Sequence, residues 1–447
     1  MSPLRPQAAA GSALPRGFYP LIAAQFASAL ADNALLIVTM AVLHRRGFPS
    51  WWAPLLKFGF TLSYVVLAPW VGPLADAVPK ARLMAWMNGV KVLGVLGLLV
   101  GLHPVLAFTV VGFGAAAYAP AKYGLITEMV PGHALVRANG WIEVTVVGAA
   151  LLGTVLGGLL VSPWLLQQAW FPDLGHQFGG LLSLADDRLG GSEQFLGALS
   201  ASLGLLLVVY AIAAAFNLRV PDSGARYAPL HSLHPIALTR DFWRTHLRLW
   251  RDPLGGLSLA VTTLFWGVGA TLQFIVLRWA GERLALPLSQ AAYLQGAVAV
   301  GVVAGAWAAG RLIRLAQAPR LIWLGVALGL AMPVVAQTRQ WWLAAAMLAG
   351  VGAIGGLMVV PLNALLQTRG HALLSAGRSI AVQGFNENAS ILIMLAAYSG
   401  LIALDLPILE LMTGFGLFIA AFNLWLLWRH RHTWLRPLPI EHPDSSS

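Results

Sequence analysis

Apolar runs separated by short polar intervals organise this chain from end to end. The runs fall at about 20–43, 52–72, 82–101, 104–123, 139–161 and 196–217, and again at about 257–280, 289–310, 321–336, 341–366, 378–401 and 407–428. About 20 consecutive apolar residues cross the hydrocarbon core of a bilayer as a helix. Only a helix or a closed barrel satisfies its own backbone groups there. The pattern therefore predicts twelve transmembrane helices in two sets of six, joined by the polar segment Leu218–Pro253. The expected divisions are a tail over 1–17, a first half over 18–217, a linker over 218–253, a second half over 254–428 and a tail over 429–447.

The polar exceptions inside the runs are the candidate chemistry. Asp32 and Asn33 sit near the middle of the first run. A carboxylate at that depth costs about 2.5–3.5 kcal/mol on insertion scales, so Asp32 is expected to face a polar cavity rather than lipid. Gln25 and Ser28, seven and four residues earlier, share its helical face. The plainer alternative is an Asp that bonds a neighbouring helix. Further polar groups fall within spans at Lys57, Asn88, Lys91, Lys122, Asn139, Glu143, Gln273, Arg278, Asn363, Gln383, Asn386, Glu387 and Asn388. Lys57 and Arg278 lie near span ends and are expected to snorkel. Lys91 lies deeper, with Asn88 one turn before it. Lys122 follows Pro120, which loosens the helix and frees carbonyls. Lys122 and Glu143 come from consecutive helices and are candidates for an intramembrane ion pair. For Glu143 and Glu387, bonding between helices is as strong an expectation as a part in transport.

Composition narrows the class. Of 447 residues, 58% are apolar and 10% charged, against about 25% charged in soluble domains. The chain contains no cysteine, which excludes disulfides and thiolate chemistry. A net charge of +11 raises the question of a nucleic-acid partner. Its distribution answers that question. With both termini cytoplasmic, twenty Lys and Arg residues fall on the cytoplasmic side and five on the other, namely Arg45, Arg46, Arg188, Arg283 and Arg339. That is the positive-inside asymmetry of a membrane protein, plus attraction to anionic lipid. No nucleic-acid partner is expected. The long segment Ser162–Glu193 falls on the outside, with more acids than bases. In the linker, Arg240, Arg244, Arg248 and Arg251 align on one helical face. They predict either an amphipathic helix on the cytoplasmic leaflet or a solvated linker. The chain lacks His-x-x-x-x-Asp, Gly-x-x-x-x-Gly-Lys and His-Glu-x-x-His, so no catalytic residue, cofactor or metal site is expected and the chain reads as a non-enzyme.

Internal duplication is visible. Pro120-Ala121-Lys122 in the fourth span corresponds to Pro361-Leu362-Asn363 in the tenth, and the same offset carries Asp32 onto Gln273. Asn139-Gly140-Trp141-Ile142-Glu143 resembles Gln383-Gly384-Phe385-Asn386-Glu387. Such repeats predict two pseudo-symmetric six-helix halves around a central cavity. Between the second and third spans, Gly72, Asp76, Lys80 and Arg82 stand in a Gly-x-x-x-Asp-x-x-x-(basic)-x-(basic) arrangement. It resembles the conformational loop of the major facilitator superfamily, which latches the halves in the outward-open state. The counterpart Gly310-Arg311-Leu312-Ile313-Arg314 keeps the glycine and the bases but has no acid.

Longer motifs carry a narrower resemblance. Gln25-Phe26-x-Ser28-Ala29-x-x-Asp32-Asn33-Ala34-Leu35-Leu36, Gly114–Gly124 around Pro120-Ala121-Lys122, Val360–Gln367 and Ile380-Ala381-Val382-Gln383-x-x-x-Glu387-Asn388 resemble the bacterial lysophospholipid transporter family of that superfamily. The resemblance implies an all-α membrane protein of the major facilitator fold, in the bacterial inner membrane. It implies a flippase that carries lysophosphatidylethanolamine and lysophosphatidylglycerol from the outer to the inner leaflet by alternating access. A partner acyltransferase would reacylate them there, and membrane lipids are the other expected partners. The polar groups within the spans give the candidate binding or gating residues: Gln25, Asp32, Asn33, Lys91, Lys122, Glu143, Gln273, Asn363, Gln383 and Glu387. One departure stands out: the family pattern carries an arginine where this chain has Gln273. The external segment Ser162–Glu193 is also longer than the resemblance leads one to expect. The residues taken alone also fit a facilitator for another amphiphile, a sugar or a drug.

Overall fold

The computed structural model describes residues 14–48, 52–168, 170–171, 173–174, 193–225, 227, 234–286 and 288–431. Among them, twelve helices are long and apolar enough to cross a membrane. They are α1 (Phe18–Arg45), α2 (Trp52–Ala77), α3 (Lys80–Leu99), α4 (Pro104–Met129), α5 (Leu135–Leu160), α6 (Glu193–Leu218), α7 (Pro253–Leu284), α8 (Leu288–Leu312), α9 (Ile322–Gln337), α10 (Trp341–Leu373), α11 (Ala376–Ala403) and α12 (Ile408–Arg429). The linker holds a further helix, Pro235–Arg251. Most of Ser162–Glu193 and of both tails lies outside the described residues; Pro163–Leu166 forms one helical turn.

Local chemistry sets the helix boundaries. Pro104 and Pro253 occupy the first helical position, where a missing N–H costs nothing, and the preceding His103 and Asp252 accept from the Val105 and Gly255 amides at 3.2 and 2.7 Å. Several boundaries differ from the hydropathy reading. Helix α2 continues past Gly72 to Ala77, so Asp76 stands in its last turn rather than in a loop. Helix α10 runs seven residues beyond Leu366. A window on hydropathy stops at the first polar cluster, whereas the helix continues into the headgroup zone, where packing against neighbouring helices carries it. Helix α9 is short, and a 3₁₀ segment, Leu315–Leu321, completes its crossing.

The packing repeats between halves. Helix α2 packs on α4 as α8 packs on α10; α3 on α6 as α9 on α12; α1 on α5 as α7 on α11. The fold is thus the all-α major facilitator architecture of two pseudo-symmetric six-helix halves. The halves meet along two seams that are themselves related by the repeat, α2 with α11 and α5 with α8. Both seams are tightest at the end where α2 and α8 finish and α5 and α11 begin. A Cβ on Gly72 would lie 3.0 Å from the Arg378 Cα, and one on Gly140 would lie 2.8 Å from the Ala306 carbonyl. Only glycine permits that approach. Helices α1 and α7 form no such packed pair, and Lys57 of α2 and Gln273 of α7 are exposed. The bundle is closed at the Asp76 end and open toward the other.

Candidate functional site

Helix α1 places Gln25, Ser28 and Asp32 on one face, and α3, α4, α5 and α6 close around it. The Lys91 ammonium donates to Asp32 at 2.7 Å and to the Ser28 hydroxyl at 2.9 Å. Ser28 in turn donates to Asn88 at 2.8 Å, and the Tyr210 hydroxyl donates to the other oxygen of Asp32 at 2.7 Å. The Lys91 side chain is 2% exposed and that of Asp32 15%. Asp32 therefore stands at the rim of a buried network, with Lys91 sealed behind it. A charge this deep is tolerated because it is paired and its remaining hydrogen-bonding positions are filled.

Lys122 is held differently. Its ammonium donates to the neutral Gln25 amide oxygen at 3.0 Å and lies 4.1 Å from the Tyr123 ring centroid. Gln25 donates weakly onward to Thr145 of α5 at 3.4 Å. The anticipated contact between Lys122 and Glu143 is not formed: no ion pair joins them among the described residues. Glu143 instead stands within electrostatic reach of both Lys122 and Glu387. In the second half, the Gln383 amide donates to Asn363 at 3.1 Å and to Glu387 at 2.8 Å. Lys122, Glu143 and Glu387, from α4, α5 and α11, thus bring both signs of charge from both halves within electrostatic reach of one another.

Four sequence candidates lie apart from these clusters. Asn33 donates to the Ala29 carbonyl of its own helix at 2.8 Å and abuts Gly153 on the α1–α5 seam. Gln273 is exposed on α7, where its backbone carbonyl accepts from Gln295 at 2.8 Å. Its side chain bonds none of the clustered groups. Arg278 pairs with Glu282 on its own helix at 2.6 Å and does not take the place of an arginine at 273. Lys57, also exposed, lies 5.5 Å from the Phe60 ring centroid.

The four loop candidates divide as well. Asp76 caps the start of α11 across the seam: its carboxylate accepts from the Gly377 amide at 2.9 Å and from the Ser375 hydroxyl. Lys80 lies 3.9 Å from Asp76 and donates to Glu128 of α4 at 2.6 Å. Glu128 also accepts from Tyr227 at 2.7 Å and Ser223 at 2.5 Å, pinning the start of the linker. Arg82 is exposed and stands outside this cluster. Beside the other seam, Asn139 of α5 and Gln367 of α10 exchange two amide hydrogen bonds at 2.9 Å each, a second link between the halves. The linker helix lies across the α2–α11 seam, with Phe242 and Leu249 packed against Ala68, Leu259, Leu366 and Val382. Asp241 pairs with Arg378 at 3.2 Å, Trp250 donates to Asn386 at 3.2 Å, and the four arginines face outward.

Tyr210, Glu128, Ser375 and Gln367 were missed by sequence reasoning. The signal for Tyr210 was a lone phenol in an otherwise apolar span; for Ser375 it was a hydroxyl immediately ahead of a helix.

Comparison with known proteins adds an independent line. Residues 9–394 match the Major Facilitator Superfamily profile. The chain is 37% identical over 419 residues to the lysophospholipid transporter LplT of Shigella flexneri, covering 93% of this chain and 97% of that protein. It is 39% identical over 397 residues to LplT of Yersinia enterocolitica, covering 89% and 90%. Among solved structures, the E. coli fucose:proton symporter superposes with a TM-score of 0.68 at 14% identity, over 92% of this chain and 98% of that one. A bacterial homologue of the iron transporter ferroportin gives 0.63 at 15%, over 94% and 100%.

Proposed function

The chain belongs to the lysophospholipid transporter LplT family of the major facilitator superfamily, and on that premise we propose that it carries lysophospholipid across the bacterial inner membrane by alternating access. Both termini face the cytoplasm in this reading, so the closed end is cytoplasmic and the chamber opens outward. The observation that carries the chemistry is Lys122, a buried ammonium bonded to a neutral amide rather than to a carboxylate. An arriving phosphate trades places with the Gln25 oxygen and gains a charge-assisted bond. Glu143 and Glu387 face an ethanolamine ammonium. Lys91 is committed to Asp32, so the pair holds α1, α3 and α6 together and leaves Lys91 unavailable to the phosphate. With Gln273 in the arginine's position, Lys122 is the cation that this chain offers the phosphate. The halves then rock about the chamber, and a lysophospholipid acyltransferase restores the diacyl lipid on the inner face.

The test is uptake of labelled lysophosphatidylethanolamine into vesicles. Uptake is abolished by Lys122→Ala with Asp32→Ala, water-soluble sugars do not compete, and mass spectrometry finds the translocated lipid chemically unaltered. Wild-type uptake by the double variant refutes the site.

A further inference from the structure

The α5–α8 seam carries a feature that the transport chamber does not use. Beside the contact of Gly140 with Ala306 and of Gly310 with the Arg137 backbone lies a shallow, open crevice. It is lined by Arg137, Trp141 and Val144 of α5 and by Ala306, Trp307 and Arg311 of α8. The two helices run in opposite directions, so Arg137-x-x-x-Trp141 and Trp307-x-x-x-Arg311 come into mirror register. Each tryptophan sits one turn, about 6 Å, deeper in the membrane than its arginine. The rings are 44% and 48% exposed, and the Arg311 guanidinium stacks 4.0 Å from the Trp307 centroid. Deeper still, Leu152 of α5 and Val300 of α8 present exposed apolar surface.

This vertical order, two guanidinium groups, then two indoles, then aliphatic surface, matches the order of groups in a phospholipid. Guanidinium forks fit phosphate oxygens in pairs. Indoles favour the glycerol depth, and basic pockets between helices on the cytoplasmic side take anionic headgroups. A water-facing basic patch would have no use for the indoles; a plain annular contact would have no use for an arginine from each half. We propose that this crevice binds the headgroup of an anionic diacyl phospholipid from the leaflet at the closed end. Because Arg137 belongs to one half and Arg311 to the other, the bound lipid bridges the seam and favours the closed state of that end.

The experiment uses the full-length protein in lipid nanodiscs, with native mass spectrometry reading retained phosphatidylglycerol against phosphatidylcholine. R137Q/R311Q is expected to lose phosphatidylglycerol retention about thirtyfold, the factor for two arginines near an anionic surface. R240Q/R244Q, which removes the same charge from the linker helix, keeps it. R137K/R311K, which preserves charge but not the fork, retains an intermediate amount, and glycerol phosphate in excess displaces none. Since the chain contains no cysteine, H44C/G281C places two unique spin labels at the open end. Phosphatidylglycerol is expected to lengthen their distance in an otherwise unaltered chain and not with R137Q/R311Q. Unchanged retention in R137Q/R311Q, equal loss in R240Q/R244Q, or displacement by glycerol phosphate overturns the proposal. Uptake of lysophospholipid is not among the readouts, so this site and the transport reading stand or fall separately.

Discussion

At the scale of the residue, two ammonium groups a helix apart have opposite assignments. Lys91 answers Asp32 directly, so removing either partner strands a buried charge. Lys91→Met is expected to destabilise the detergent-solubilised protein by about 3–5 kcal/mol. Adding Asp32→Asn is expected to recover most of that stability without recovering uptake; thermal unfolding and vesicle assays separate the two effects. Lys122→Met, by contrast, removes an ammonium held only by an amide. Its expected result is near-normal thermal stability with uptake lost. The face shared by Gln25, Ser28 and Asp32 was legible from spacing alone, because i, i+3/i+4 and i+7 positions stack in any helix. Which lysine would meet Asp32 was not. Spacing fixes a face but not the helix opposite, and the pairing depends on α3 packing against α4 and α6, which themselves lie against α1. The same gap explains the Lys122–Glu143 pair that does not form: adjacency in sequence placed α4 beside α5 on paper, whereas α1 interposes Gln25 between them.

At the scale of the element, the start of α11 depends on a carboxylate from the other half. Asp76→Ala removes that cap at a cost of about 0.5–2 kcal/mol, and the cost falls only on the state in which the seam is closed. The closed population is expected to drop about fivefold per kcal/mol, read as a shorter spin-label distance between positions 44 and 281. The motif itself was legible as Gly72 followed by Asp76 and two bases. Its partners were not, because nothing in the second-half sequence marks Ser375 and Gly377 as the donors that meet Asp76. The linker helix makes a second prediction. Burial holds the His246 imidazole below its ordinary range, beside Asn386, Trp243, Trp250 and Phe385. The docked helix thus prefers neutral histidine, and the undocked one takes up a proton more readily. Docking is at full strength above pH about 6.5 and weakens as pH falls below it. Limited proteolysis near 227–234 is expected to accelerate between pH 7.5 and pH 5.5, and His246→Gln is expected to flatten that dependence.

At the scale of the whole molecule, hydropathy and charge asymmetry were enough for the number of helices and their grouping into halves. Each span declares itself through its own composition, and the duplication appears in matched positions such as Pro120 and Pro361. What composition could not supply was which end is shut, since that depends on contacts between residues hundreds of positions apart. The glycines at 72, 140 and 310 are the physical reason the seams close at the Asp76 end. Replacing Gly140 with Leu is expected to hold the α5–α8 seam apart, shifting the spin-label pair toward its shorter distance and lowering uptake while leaving helix content, read by circular dichroism, unchanged.

The two seams are fastened by unlike materials. One uses a carboxylate with neighbouring cations; α5, at the other, is held to the second half by Asn139 bonded to Gln367 of α10, a neutral pair buried from solvent on both sides. Acidity acts on the first, because a protonated carboxyl accepts more weakly from the Gly377 amide and the Ser375 hydroxyl, and leaves the second almost untouched. Acidification is therefore expected to swing the halves like a door on one jamb, parting them along α2 and α11 while α5 serves as the hinge post. Label pairs spanning each seam would record unequal displacements.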